Sequence, residues 1–147
     1  MTLPSSDTPL KRFFVYGSLM RGGAFESLLP GRRDVRFLGP ARCRGTLYDL
    51  GEYPGLVLSG RTWVAGELFQ TDAVEETIRR LDPFEGEAGF ERKAGAVRWK
   101  HGPSPAWIYV YAGSLTGARR ISGGSWAAWV KSEPFSPPAP RRGRSSR

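Results

Sequence analysis

Histidine and cysteine are almost missing from this 147-residue chain, each occurring once, as His101 and Cys43. A single cysteine excludes an internal disulfide and a multi-cysteine metal site. A single histidine means that any zinc site, Ser-His-Asp triad or Cys-His dyad would have to use that one residue. No apolar run approaches the length needed to span a membrane. The opening "MTLPSSDTPLKR" has no apolar segment behind a basic one, so it does not read as a secretory signal. These absences predict a cytoplasmic, metal-free protein without a membrane partner. Acid is missing from the end of the chain. After residue 133 comes "PFSPPAPRRGRSSR", with four of the 22 basic residues and none of the 14 acidic ones. Of the formal charge of +8, that tail supplies +4, so residues 1–133 carry 18 basic against 14 acidic residues, or +4. A Pro/Arg/Ser tail cannot build a core and is expected to be disordered. Its one sharper use is electrostatic contact with RNA, DNA or another anionic surface.

What is present is mostly strand. With 39% hydrophobic and 24% charged residues, a packed single domain is feasible. The division expected is a flexible 1–11, a domain over 12–132 and a disordered tail over 133–147. "RFFVYG" reads as the first strand, and "DVRFLGPARCRGTLYDL" as one long strand or two broken at Gly39-Pro40. "GLVL" is a short apolar segment. "RTWVAGELFQ" alternates, with Trp63 and Ala65 on one side and Val64 and Gly66 on the other. One helix follows, with Asp72 and Glu75 resembling a capping box, and Val74, Ile78 and Leu81 on one face; Pro83 is expected to stop it. "GFERKAGAVRWK" and "PAWIYVYAG" read as a hairpin turning over 100–105, with Trp107, Tyr109 and Tyr111 on one face. "AFESLLP", 24–30, reads as a shorter helix. Close-set strands with one strong helix argue against a doubly wound parallel sheet. They predict an α+β fold, a mixed and mostly antiparallel sheet curled into a small barrel with one or two short helices.

Two stretches raise chemistry. "VYGSL", 15–19, ends the first strand in a Gly-Ser turn, yet G-x-G-x-x-G and the P-loop pattern are both absent. Such a turn can aim several backbone N–H groups at one anion, with Tyr16 as a wall, or it can be an ordinary strand-to-helix turn. In "LDPFEGEAGFERK", a carboxylate beside the apolar Pro83 and Phe84 would have its charged form disfavoured. Its pKa would rise to where a general base works near neutrality. Locally nothing separates Glu85 from the neighbouring Glu87 and Glu91.

The order of segments is what narrows the choice. "VYGSL" at 15–19, "YPGLV" at 53–57, "GELF" at 66–69, "LDPFEG" at 81–86 and "FER" at 90–92 follow one another, and "SGGSW" at 122–126 closes the series. Over about residues 12–130 this resembles the gamma-glutamylcyclotransferase-like, or AIG2-like, family, and its bacterial gamma-glutamylamine cyclotransferase-type members in particular. The resemblance implies a barrel-like α/β fold in which the YGSL turn and the LDxxEG glutamate face one cavity. Tyr16, Gly17, Ser18 and Leu19 would form the substrate loop and Glu85 the catalytic acid/base. From the residues alone, Tyr53 can line the pocket or simply pack before Pro54, and Arg92 can pair with a substrate carboxylate or stay solvated on its strand. The implied reaction converts a γ-glutamyl amide to 5-oxoproline and a free amine without cofactor. Its partner is a small γ-glutamyl molecule, with nucleic acid met only through the basic tail. Phe90 stands where the family more often has tyrosine, and Ser125 where aspartate is common; both bear on the outer pocket and neither on Glu85. A non-catalytic binding module, or a basic-tailed RNA-associated protein using Arg92, Arg98 and Lys100 on one face of a strand, is the rival reading. The remaining singletons read as packing or surface: Cys43 buried, His101 exposed in a turn, Trp126 and Trp129 against the core.

Overall fold

The computed structural model of the chain describes residues 10–17 and 35–132. The expected short helix at 24–30, Ser18 and Leu19 of the turn, residues 1–9 and the tail lie outside the described residues. Among the described residues no helix is long and apolar enough to cross a membrane.

The first strand, β1 (Arg12–Val15), is a continuous apolar run rather than an alternating one. Phe13, Phe14 and Val15 are all buried, as expected of a strand covered on both faces. It lies between β3 (Pro54–Thr71), to which it is antiparallel, and β5 (Gly102–Tyr111), to which it is parallel. β4 (Phe90–Trp99) runs antiparallel to β5, and β2 (Val35–Asp49) antiparallel to both β3 and β4. The pairings therefore close a ring in the order β3, β1, β5, β4, β2 and back to β3, with the short β6 (Arg119–Arg120) attached to β2. Phe13, Phe14, Leu47, Leu56, Val64, Leu68 and Ile108, which cover both faces of β1, belong to one buried core with Leu81 of helix α1 (Val74–Glu87). A second helix, α2 (Trp126–Ser132), lays Trp126 and Trp129 against that core. This is the α+β arrangement the sequence predicts: a mixed, mostly antiparallel sheet with two short helices.

Four local expectations are corrected and one open alternative is settled. "GLVL" and "RTWVAGELFQ" are not separate strands but one, β3, paired throughout with β2. The polar stretch between them is an irregularity: Val57 pairs with Thr46 and Thr62 with Gly45, so residues 58–61 loop out of register. The Thr46 hydroxyl holds that loop by donating to the Ser59 carbonyl, 2.7 Å. The second long segment is likewise continuous, with a bulge between Phe37 and Gly39 in place of a break. The β4–β5 turn is tighter than expected, since β5 starts at Gly102, where φ is +101°. The expected capping box does not form. Asp72 pairs with Lys11 at 3.0 Å, the Ala73 N–H donates to the Thr71 hydroxyl, and Ala73 is the N-cap residue. Finally, Pro83 does not stop α1, which continues to Glu87.

Candidate functional site

The continuation of α1 decides where the acidic residues go. Its buried positions are Val74, Thr77, Leu81 and Glu85, spaced three, four and four apart, so Glu85 occupies the core-facing stripe one turn beyond Leu81. Glu87 and Glu91, indistinguishable from it in the sequence, are exposed. Only 8% of Glu85 is accessible to solvent. Its carboxylate has no hydrogen-bond or ion-pair partner among the described residues, and burial pushes its pKa up to about 7. The apolar surroundings are not the ones the sequence suggested. Phe84 is exposed, as is Pro83, and it is the core beneath the helix that desolvates the carboxylate.

Tyr16 and Tyr109 lie near enough for the Glu85 charge to push both phenols further from ionisation, an effect already dominated by their own burial. Tyr16 is fully committed: its hydroxyl donates to the Tyr109 carbonyl at 2.6 Å and accepts from the Leu56 N–H at 3.2 Å. It thereby joins the end of β1 to β5 and to the start of β3. Gly17, next along, packs against Pro54. A Cβ there would sit 2.6 Å from Pro54 Cγ, so only glycine lets the turn approach this closely. Gly66 of "GELF" meets the same requirement, passing beneath the Phe14 ring and the Val15 carbonyl. The segments "VYG", "YPG", "GELF" and "LDPFEG" thus converge on one place.

The outer part of the site is aromatic. The Phe90 ring stands edge-on to Tyr53 at 5.8 Å and to Tyr111 at 5.2 Å between centroids. Arg92, expected to meet a substrate carboxylate, is bound instead to Asp82, with Nε donating to Oδ1 at 3.0 Å and Nη2 to Oδ2 at 3.2 Å. The Tyr109 hydroxyl donates to the same Oδ1 at 2.5 Å. These donors hold the Asp82 carboxyl below its usual range against the opposing effect of partial burial. Asp82 and Tyr109 are the residues that sequence reasoning missed. Asp82 was visible within "LDPFEG", but only the fold brings Tyr109 and Arg92 to it. Cys43 is buried beside Tyr16 and burial pushes its thiol up to about 12. His101 is exposed, edge-on to Trp99. Among the described residues no three His, Cys, Asp or Glu side chains cluster as a metal site. "SGGSW" caps α2: the Ser125 hydroxyl accepts from the Ala128 N–H at 3.1 Å, and the Gly124 carbonyl accepts from the Ala65 N–H at 2.8 Å.

Comparison with known proteins gives the same grouping. The YtfP protein of Escherichia coli K12, described as a gamma-glutamylcyclotransferase family protein, is 32% identical over 116 residues, covering 78% of this chain and 95% of that protein. The crystal structure of PH0828 from Pyrococcus horikoshii superposes with a TM-score of 0.62 at 25% identity, covering 82% of this chain and 93% of that one. That of an AIG2-like protein from mouse superposes with a TM-score of 0.60, also at 25% identity, covering 71% and 79%. The family model described as "Gamma-glutamyl cyclotransferase, AIG2-like" matches residues 13–128. With most of its length matched by that model and by relatives of this kind, the chain belongs to the gamma-glutamyl cyclotransferase, AIG2-like family.

Proposed function

We propose that this protein converts a γ-glutamyl amide to 5-oxoproline and a free amine, with Glu85 as general acid/base. The observation that carries the reading is a buried carboxylate without a partner among the described residues, its pKa raised to about 7, on the core-facing stripe of α1 and close enough to act on the Tyr16 phenol. Such a group exchanges protons readily at neutral pH, and its site excludes most water.

The substrate brings its own nucleophile. Its α-ammonium gives a proton to Glu85, and the freed amine attacks the γ-carbonyl to close a five-membered ring. The bond from the γ-carbon to the departing nitrogen then breaks as Glu85 returns the proton to that nitrogen. The attacking nitrogen's second excess proton follows the same route, so two protons pass from one nitrogen to the other and none is consumed. Holding amine and carbonyl in contact supplies much of the acceleration. The N–H groups of the 17–19 turn would bind the substrate carboxylate or the developing oxyanion. Tyr53, Phe90 and Tyr111 would receive the departing amine. Arg92 serves this reading through Asp82, not as a carboxylate clamp.

The test separates ring closure from hydrolysis, since both free the same amine. Unmodified γ-glutamyl amides should yield 5-oxoproline with no oxygen-18 taken up from labelled water, and N-acetylated ones should be inert. Labelled glutamate, or turnover of the acetylated compound, would make Glu85 an activator of water and the protein an amidase.

A further inference from the structure

The passage of α1 through Pro83 needs an explanation. Proline has no N–H to donate to the carbonyl of Arg79, and its ring disfavours helical geometry in the residue before it. That residue is Asp82. Left to local preference the helix ends at Leu81 or Asp82, and Glu85 falls in a turn. Yet Asp82 is helical, and its carboxylate accepts two hydrogen bonds from Arg92 of β4 and one from Tyr109 of β5. These are charge-assisted contacts, the stronger kind. Arg92 is itself laid on the Trp107 ring, 4.3 Å from its centroid, and the Trp107 indole N–H donates to the Leu10 carbonyl at 3.1 Å. The donors are therefore fixed from behind. Tyr109 also carries the carbonyl to which Tyr16 is tied. One residue thus links the weakest point of the helix to the strands that hold the other half of the site.

We propose that Asp82 is a positioning residue: its bonds to Arg92 and Tyr109 carry the helix across Pro83 and so set Glu85 into the core beside Tyr16. The proposal rests on the catalytic reading of Glu85 for its effect on turnover, but its structural content does not need that reading. Asp82 itself touches no substrate. Its carboxylate already accepts three hydrogen bonds from the strand donors, and it acts on Glu85 through the backbone three residues on.

The test is a cycle with Pro83, the source of the helix's weakness. Asp82→Ala should lower kcat by about 10- to 100-fold, the cost of a displacement of about an ångström, with a smaller change in KM. The Glu85 carboxyl, followed by NMR, should titrate in the parent near the value its burial dictates and move towards the ordinary carboxylate range in Asp82→Ala. Replacing Pro83 by alanine in the Asp82→Ala background should restore both, because the helix then needs no tether. Tyr109→Phe, which keeps the ring and loses one bond, should shift the Glu85 titration in the same direction by less. A double variant as impaired as Asp82→Ala would overturn the proposal and give Asp82 a direct role. So would a Glu85 titration that Asp82→Ala leaves in place, or a parent in which Glu85 titrates as an exposed carboxylate. A parent that releases no 5-oxoproline while the titrations follow the expected pattern would sink the catalytic reading and uphold the positioning one.

Discussion

Asp82 and Glu85 are three residues apart on one helix and live in opposite electrostatic worlds. Asp82, partly exposed where α1 meets β4 and β5, accepts three hydrogen bonds, two of them from the Arg92 guanidinium, and its carboxyl is held low. The inward side gives Glu85 apolar contacts without a partner among the described residues, and its carboxyl rises to about 7. The same functional group is thus held as an anion at one position and suited to exchange protons near neutrality at the other. Separation of this kind assigns roles to paired carboxylates, and it is set by burial and by the partners that the fold supplies, not by the letters next to each residue.

The sharpest way to break the contrast is Glu85→Gln, which keeps shape and removes the proton site. Release of 5-oxoproline from a γ-glutamyl amide is expected to fall by about 10²–10⁴-fold with circular dichroism unchanged; parent-like turnover would remove Glu85 from the chemistry. The same variant should raise stability. Because the folded-state pKa lies above the ordinary value of 4.5, the native protein binds the extra proton. Its stability is therefore full below about pH 4.5 and falls as pH rises towards 7. Denaturant titrations should find Glu85→Gln more stable than the parent by about 3 kcal/mol at pH 8, with the gap closing in acid. A constant gap would mean that Glu85 is not desolvated. Smallest of all is the effect of Glu87→Gln, two residues on but exposed. Turnover and stability should stay within about 0.5 kcal/mol of the parent, as for most surface changes, and a large loss of turnover would mean the wrong carboxylate has been chosen.

Much of this was legible beforehand because it depends on local pattern. The apolar run of β1, the alternation around Gly66 and the 3–4 spacing of Val74, Ile78 and Leu81 all report burial directly. Extending that spacing past Pro83 would have singled out Glu85 over Glu87 and Glu91. The step was blocked by a sound local rule, since proline ends most helices. It failed here because the opposing contacts come from Arg92 and Tyr109, ten and 27 residues away in sequence. The length of β3 was hidden for a similar reason. "SG" at 59–60 separates the two segments in the sequence, and only the pairing with β2 on both sides of the polar stretch makes them one strand. Tyr109 carried no sign in the sequence that its hydroxyl and its carbonyl would serve two different parts of the site.

The closed ring also dictates an order of assembly. β2 and β3 are neighbours in sequence and can pair as soon as both exist, and β1 can add to β3, but its second edge is covered only when Phe13 meets Trp107 and Phe14 meets Ile108. Closing so long a loop costs more entropy than pairing neighbouring strands. Tyr16 follows directly on that strand and binds a carbonyl of β5. As the chain emerges during synthesis, β1 can therefore be held along β3 alone until residues near 108 arrive to cover its other edge. A partly made chain has all the residues of β1 and none of their function, and the two halves of the site come together in the event that seals the fold.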